Sequence, residues 1–340
     1  MTSEFRVFDT QLLALGYDAE RDDEVAQRGL EGLVGRVVRV DRAIVTIETA
    51  ATALRIKNLL AAPLIVGDWV VADGEQVVRL TRRTELVRRV GHRRDERQPI
   101  AANVDLVLVV RALDTDIRIG RLSALVVIAF DSGATPLVVL SKADRADDAM
   151  ASCDKVSSSL NGVETIAIST VTGLGMDELR ERIAGKTIVL LGESGAGKST
   201  LTNALCGSDV LATSSVRRDG QGRHTTTHRQ LVVIPSGGVV IDTPGVREAA
   251  AFGDGEGLEL AFADVVELVA RCRFPDCQHG DTPGCAVTAA LEDGSLDGER
   301  LSAYLHETGE QAWLERRLDA KAVSAEKSNN KKRKRRLGDA

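Results

Sequence analysis

The chain has 340 residues, enough for two or three domains, and its 43% hydrophobic and 28% charged content supports a buried core. It contains no run of about 18 apolar residues, which excludes a membrane-spanning helix. The start, Met1-Thr2-Ser3-Glu4-Phe5-Arg6, has no basic flank leading into an apolar stretch, so no secretory leader is expected and the cytoplasm is the expected location.

Residues 1–29 are polar and acidic with weak periodicity, which predicts a loosely ordered extension. From 33 to 90 the pattern changes to short alternating runs: Val34–Val40, Ala43–Ile47, Ala53–Ile56, Trp69–Ala72 and Val77–Leu80. Five short strands separated by turn signals predict a small β-barrel over residues 30–95. An OB-fold matches in size, with an SH3-like barrel as the alternative. Between Arg79 and Arg97 there are eight arginines against three acids, which predicts a basic exit strand and linker suited to a nucleic-acid backbone. With ten aromatic residues in the whole chain, phosphate contacts and shape readout are expected rather than base stacking.

Residues 96–250 alternate apolar strands with helical segments. Strands are predicted at Leu106–Val110, Pro136–Leu140, Thr165–Ile168, Thr187–Leu191, Gln230–Ile234 and Val239–Ile241, and helices near Arg121–Phe130, Met176–Ile183 and Lys198–Leu205. Continuous apolar strands between helices predict a mostly parallel sheet covered on both faces. The turn Ile234-Pro235-Ser236-Gly237-Gly238 would add one antiparallel strand at its edge.

The segment Gly192-Glu193-Ser194-Gly195-Ala196-Gly197-Lys198-Ser199 follows an apolar strand and opens a helix that continues with Thr200, the context a phosphate loop needs. Its glycines let backbone N–H groups converge on a β-phosphate, Lys198 would bridge the β- and γ-phosphates, and Ser199 would bind Mg²⁺. Asp242, in Asp242-Thr243-Pro244-Gly245, ends a strand and would act as a Walker-B-type carboxylate on the Mg²⁺ water shell, with the Gly245 amide near the γ-phosphate.

Ahead of these elements stands Ser141-Lys142-Ala143-Asp144. The Asp144 carboxylate would accept from guanine N1–H and the exocyclic amine, which adenine cannot offer in that geometry. Lys142 would pack over the base, and the loop beginning at Ser169 would close over it. Ser141 stands where most GTPases have Asn; with fewer donors it is expected to cost roughly 1 kcal/mol of nucleotide affinity.

Gly222-Arg223-His224-Thr225-Thr226-Thr227 occupies the place of a switch loop. Thr225 or Thr226 would cap Mg²⁺ and sense the γ-phosphate, and the sequence alone does not choose between them. His224 is the candidate for positioning the attacking water. Most GTPases run phosphate loop, switch threonine, D-x-x-G and then the base signature; here the base signature comes first. That order is a circular permutation.

Cys272, Cys277, His279 and Cys285 form C-x₄-C-x-H-x₅-C, a donor set suited to one structural, tetrahedral zinc within a helical domain at 251–320. An amphipathic helix is expected from Leu296 to Lys321. The five cysteines make no disulfide scaffold, and Cys153 and Cys206 read as ordinary thiols. The formal net charge is −6, yet residues 321–340 carry eight Lys/Arg against two acids, leaving −12 on the rest. This tail is expected to be drawn to phosphate-rich surfaces.

Taken in this order, residues 30 to 317 resemble the circularly permuted ribosome-biogenesis GTPases called ribosome small subunit-dependent GTPase A. The resemblance is carried by Gly67-Asp68-Trp69-Val70, Ala102-Asn103-Val104-Asp105, Gly195-Ala196-Gly197-Lys198-Ser199, Gly222-Arg223-His224-Thr225-Thr226-Thr227, Asp242-Thr243-Pro244-Gly245-Val246-Arg247-Glu248 and the Cys/His cluster. It implies an α/β fold: a permuted P-loop GTPase domain with an N-terminal OB-fold barrel and a small C-terminal helical zinc domain. It further implies GTP as substrate, binding to the small ribosomal subunit and its RNA, hydrolysis stimulated there, and a catalytic role for His224. A monomer is expected. Two other classes keep the same motifs in play: a metabolic kinase or ATPase, and a zinc-stabilised RNA-binding protein with a vestigial GTPase.

Overall fold

The computed structural model describes residues 9–41, 43–58, 62–74, 76–90, 93–207, 229–242, 256–279, 282–309 and 312, with backbone alone for 88–90 and 93–97. Two short helices open it, α1 (Thr10–Ala14) and α2 (Ala19–Gln27), capped by Asp9 and Asp18 side chains that accept from Gln11 N and Arg21 N. The loosely ordered extension expected from the sequence is thus a folded element from Asp9 onward, with Leu12, Leu15 and Tyr17 buried in the main core.

Strands β1 (Leu33–Asp41), β2 (Ile44–Thr49), β3 (Ala53–Lys57), β4 (Trp69–Asp73) and β5 (Gln76–Arg79) match the five predicted runs closely. They pair antiparallel in the order β3-β2-β1-β4-β5 around Val37, Val45, Ile47, Leu64 and Val70, forming the OB-fold barrel. At its base Gly67 has φ +93°, and a Cβ there would lie 2.1 Å from the Ala102 carbonyl oxygen, so glycine is required.

The arginine-rich stretch is not a linker. It forms a separate antiparallel hairpin of β6 (Glu85–Val90) and β7 (Arg93–Ala102). Two of its first arginines, Arg82 and Arg83, are already paired within the protein. Arg82 donates to both oxygens of the fully buried Asp68, at 2.7 and 2.8 Å, and Arg83 pairs with Asp18.

Strands β8 (Leu106–Ala112), β9 (Thr135–Ser141), β10 (Thr165–Ala167), β11 (Thr187–Leu191), β12 (Arg229–Val233) and β13 (Val239–Asp242) build the central sheet in the order β10-β9-β8-β11-β13-β12. All neighbours are parallel except β12 and β13. β12 is not the edge strand expected from its hairpin. Its far side pairs with β1 through Arg39↔Gln230 and Val40↔Arg229, so barrel and central sheet share one hydrogen-bonded ladder.

Side chains on these strands alternate between two cores, as a period of two demands. Leu108, Val110, Val139, Ile188 and Val240 face the core that holds Leu179 and Ile183 of α5 (Met176–Ile183) and Leu201 of α6 (Lys198–Cys206). Val107, Val109, Val138, Val189 and Ile241 face the other core. There they meet α3 (Ile119–Asp131), α4 (Ala149–Ser159) and the C-terminal helices α7 (Glu256–Ala261), α8 (Ala263–Ala270) and α9 (Ala286–Glu292). Residues 298–309 are helical, the described part of the amphipathic helix expected from Leu296. The Gly257 amide donates to Asp131 Oδ1 at 3.0 Å, tying α7 to the end of α3.

One side chain joins several of these parts. Arg36 of β1 is fully buried; it donates to the carbonyls of Leu15, Gly67 and Asn103 and to Thr187 Oγ1, and its guanidinium lies 5.2 Å over the Trp69 ring. Burial pushes its pKa down to about 9. N-terminal helices, barrel, junction and the strand before the phosphate loop therefore meet on one cation.

Candidate functional site

The parallel register places the carboxyl ends of β9, β8, β11 and β13 along one edge, where ligands bind in open α/β sheets. The predicted nucleotide residues emerge at this edge. The loop after β11 starts at Gly192, φ +145°, where a Cβ would lie 2.2 Å from the Val110 carbonyl oxygen. Gly195 and Gly197 also have positive φ, and Gly197 N-caps α6. Ser194, Gly195, Ser199 and Thr200 are exposed, whereas Ala196 is buried beneath them. Lys198 Nζ folds over the loop and donates to the carbonyls of Gly192 at 2.8 Å and Glu193 at 2.7 Å.

Glu193 is clamped by two cations: Arg111, near the end of β8, and Arg121, in the first turn of α3, each donate to one carboxylate oxygen. The Arg121 hydrogen bond, reinforced by Arg111, holds the Glu193 carboxyl below the usual range. The sequence reading passed over both arginines. Arg111 had a signal: it is a lone charge in β8, a strand otherwise made of apolar residues and buried throughout.

The base loop lies two strands away. Ser141 Oγ is buried and lies 2.7 Å from the Ala196 carbonyl and 3.3 Å from that of Arg111, so it ties the base loop to the phosphate loop. Lys142 adopts φ +58°, and its Nζ donates to Asp114 at 2.8 Å. Donation from Lys142, aided by Arg145, keeps the Asp114 carboxyl low. Ser169 Oγ donates to Asp144 Oδ1 at 2.6 Å and accepts from the Val171 and Thr172 amides, both at 3.2 Å. The structure therefore brings together Ser141, Asp144, Ser169 and the phosphate loop.

Asp242 ends β13, beside β11, and burial pushes its carboxyl up. A buried carboxylate with that bias favours a neighbouring cation, which fits a Mg²⁺ role beside Ser199. His224, Thr225, Thr226 and Gly245 lie outside the described residues, as does the basic tail.

The Cys/His cluster converges. The ligand atoms of Cys272, Cys277, His279 and Cys285 all lie within 4.8 Å of one another. Cys272 Sγ is 3.7 Å from His279 Nδ1 and 3.9 Å from Cys285 Sγ, and Cys285 Sγ is 3.9 Å from His279 Nδ1. A zinc tetrahedron with Zn–S of about 2.3 Å has S···S edges of about 3.8 Å, so the donor set fits zinc, with histidine binding through Nδ1. Cys285 also caps α9, accepting from the Thr288 amide at 3.3 Å. Burial alone would raise its thiol, but hydrogen bonds from Thr288, His279 and Cys277 together outweigh this and bring it down to about 6.

A base loop at the end of β9, a phosphate loop at the end of β11 and the first preceding the second in sequence define a circularly permuted P-loop GTPase. The RsgA GTPase family model matches residues 79–252. A Streptomyces coelicolor protein named "Small ribosomal subunit biogenesis GTPase RsgA" is 40% identical over 95% of this chain and 92% of its own length. The chain belongs to the RsgA GTPase family and is a GTPase.

The crystal structure of YjeQ from Thermotoga maritima matches with a TM-score of 0.59 at 26% identity, covering 82% of this chain and 98% of that one. The structure of YloQ, described as a circularly permuted GTPase, matches in fold with a TM-score of 0.60 at 23% identity, covering 83% of this chain and 95% of that one. An ABC transporter model also matches residues 182–334, overlapping the first model across the phosphate loop, an element such NTPases share. Among the described residues no helix is long and apolar enough to cross a membrane.

Proposed function

We propose that this chain hydrolyses GTP in the late maturation of the small ribosomal subunit, binding the subunit and its ribosomal RNA and being stimulated by them. The observation that carries this reading is the 40% identity, along 95% of the chain, to a relative named for small-subunit biogenesis. In this reading it works as a monomer in the cytoplasm. Residues 30–95 act as an RNA-facing barrel, 96–250 as the GTPase, 251–320 as a zinc domain and 321–340 as a basic tail, with 1–29 an N-terminal extension whose residues from 9 onward brace the barrel.

Each site residue then takes one task. Asp144, oriented by Ser169, accepts from the guanine edge, while Lys142 covers the base and Ser141 holds the base loop on the phosphate loop. The backbone from Gly192 to Thr200, with Glu193, Ser194, Gly195, Ala196 and Gly197, cradles the phosphates. Lys198 leaves the loop carbonyls to bridge the β- and γ-phosphates. Ser199 and Asp242 hold Mg²⁺, which neutralises charge developing on the phosphates. Thr225 or Thr226 and the Gly245 amide sense the γ-phosphate, and His224 positions water. The zinc is structural, since four protein ligands leave no open position.

Basal turnover is expected at about 10⁻⁴–10⁻² s⁻¹, the range of GTPases lacking a completed catalytic set. The test is hydrolysis of GTP and of ATP with and without purified small ribosomal subunits at fixed salt. Stimulation of GTP turnover alone supports the reading. Equal ATP turnover, or no stimulation, overturns it. His224→Ala with subunit-stimulated turnover intact would remove the histidine from the mechanism.

A further inference from the structure

We infer that Ser141 makes the base site blind to position 7 of the purine, so that guanine is distinguished through its N1–H and 2-amino edge without help from N7. This rests on the reading of Asp144 as the guanine-binding carboxylate.

A serine hydroxyl carries one hydrogen. That of Ser141 is buried between two carbonyl acceptors, Ala196 O at 2.7 Å and Arg111 O at 3.3 Å, so the hydrogen is spent inside the protein. Donors next to it are engaged as well. Lys142 Nζ donates to both oxygens of Asp114, at 2.8 and 3.1 Å, and the Ala143 amide donates to the Ile168 carbonyl at 3.0 Å. Guanine N7 is an acceptor and gains nothing from a hydroxyl whose one hydrogen is already taken.

The opposite edge differs. A carboxylate accepts about four hydrogen bonds, and the bond from Ser169 Oγ to Asp144 Oδ1 leaves capacity for both guanine donors. An asparagine at 141 would change the balance, because its amide has two hydrogens: one can keep the Ala196 tether while the other reaches the base. The ligand class follows. Guanosine triphosphates altered at position 7 should be accepted as well as GTP, and those altered at position 2 should not.

The experiment is equilibrium binding of GTP, 7-deaza-GTP and ITP to the full chain with Mg²⁺, for the wild type, Ser141→Asn and Ser141→Ala. The wild type should bind 7-deaza-GTP within about twofold of GTP and ITP about fivefold more weakly, the size of one lost hydrogen bond. Ser141→Asn should gain about a fivefold preference for GTP over 7-deaza-GTP with its GTP-to-ITP ratio unchanged. Ser141→Ala, which fits any space that serine fits, should weaken GTP and 7-deaza-GTP by the same factor. A wild type that prefers GTP to 7-deaza-GTP by fivefold or more overturns the inference, as does Ser141→Ala weakening GTP alone. ITP binding as tightly as GTP is a different failure: it removes Asp144 as the base reader.

Discussion

The carboxylate of Glu193, in the phosphate loop, is bonded to the guanidinium of Arg121, in the first turn of α3. The other carboxylate oxygen takes the buried Arg111. The same helix ends at Asp131, which holds the first turn of α7. One helix thus spans from the nucleotide edge to the C-terminal helices.

Removing Arg121 and removing Glu193 from this clamp should have different costs. Arg121 is largely exposed, so Arg121→Ala should cost no more than about 1 kcal/mol of stability. Glu193→Ala strands the buried Arg111, whose Nε already has no partner, and should cost about 1–3 kcal/mol. Urea unfolding of both variants checks this, and equal losses would mean that Arg111 finds another acceptor.

Arg82 belongs to a stretch that looks made for RNA, yet its removal should act on folding. Arg82→Ala leaves the fully buried Asp68 without its cation and should destabilise the chain by about 3–5 kcal/mol. Arg82→Lys should recover only part of this, since one ammonium lacks the planar fork by which Arg82 donates from two nitrogens to Asp68 and from the third to Glu85. Thermal unfolding measures it; an unchanged midpoint with weaker RNA binding would reverse the assignment.

Asp242→Asn should stop GTP hydrolysis, by at least about 100-fold, while stabilising the nucleotide-free protein. Burial raises its carboxyl, so between its ordinary and raised values the folded chain holds a proton that the unfolded chain has released. Stability contributed by this group is therefore present at low pH and lost as pH rises through the raised value. The melting midpoint of the wild type relative to Asp242→Asn, followed from pH 4 to 8, should fall accordingly; parallel curves would contradict it.

Metal removal should be local. One zinc per chain is expected by elemental analysis, and Cys277→Ser should lose it. Amide exchange should then rise across 272–292 while GTP binding persists, because the phosphate and base loops share no side chain with the cluster. Metal affinity should fall as pH drops, since the thiols must ionise to bind.

The barrel strands and the central sheet were legible because their residues alternate with a period of two or run apolar between turns. The phosphate loop and the Cys/His set were legible because their chemistry is local in sequence. The N-terminal helices were not. In α2, Ala-Glu-Arg-Asp-Asp-Glu-Val-Ala-Gln shows no apolar stripe; besides Val25, what it sets against the core is a cation, Arg21, stacked 5.4 Å over Trp69. Helix α4 was missed for a related reason, since its small polar side chains bury only Cys153 and Val156. The β6–β7 hairpin was hidden by its charges, and the partners that neutralise Arg82 and Arg83 lie at Asp68 and Asp18, too distant for pattern reasoning. The Glu193 clamp joins residues 72 and 82 positions apart, which no local spacing encodes.

The pairing of β1 with β12 sets a timetable for synthesis. A ribosome that has made β1 must add roughly 190 residues before β12 exists to cover that part of its edge. At about 5–20 residues per second this interval lasts on the order of 10–40 s. Through it, Arg39 and Val40 would present open backbone groups to any other nascent strand. Arg39, paired to Asp41, places a charge on that exposed rim. A substitution of Arg39 by an apolar residue would then be felt in the yield of folded protein rather than in its final stability.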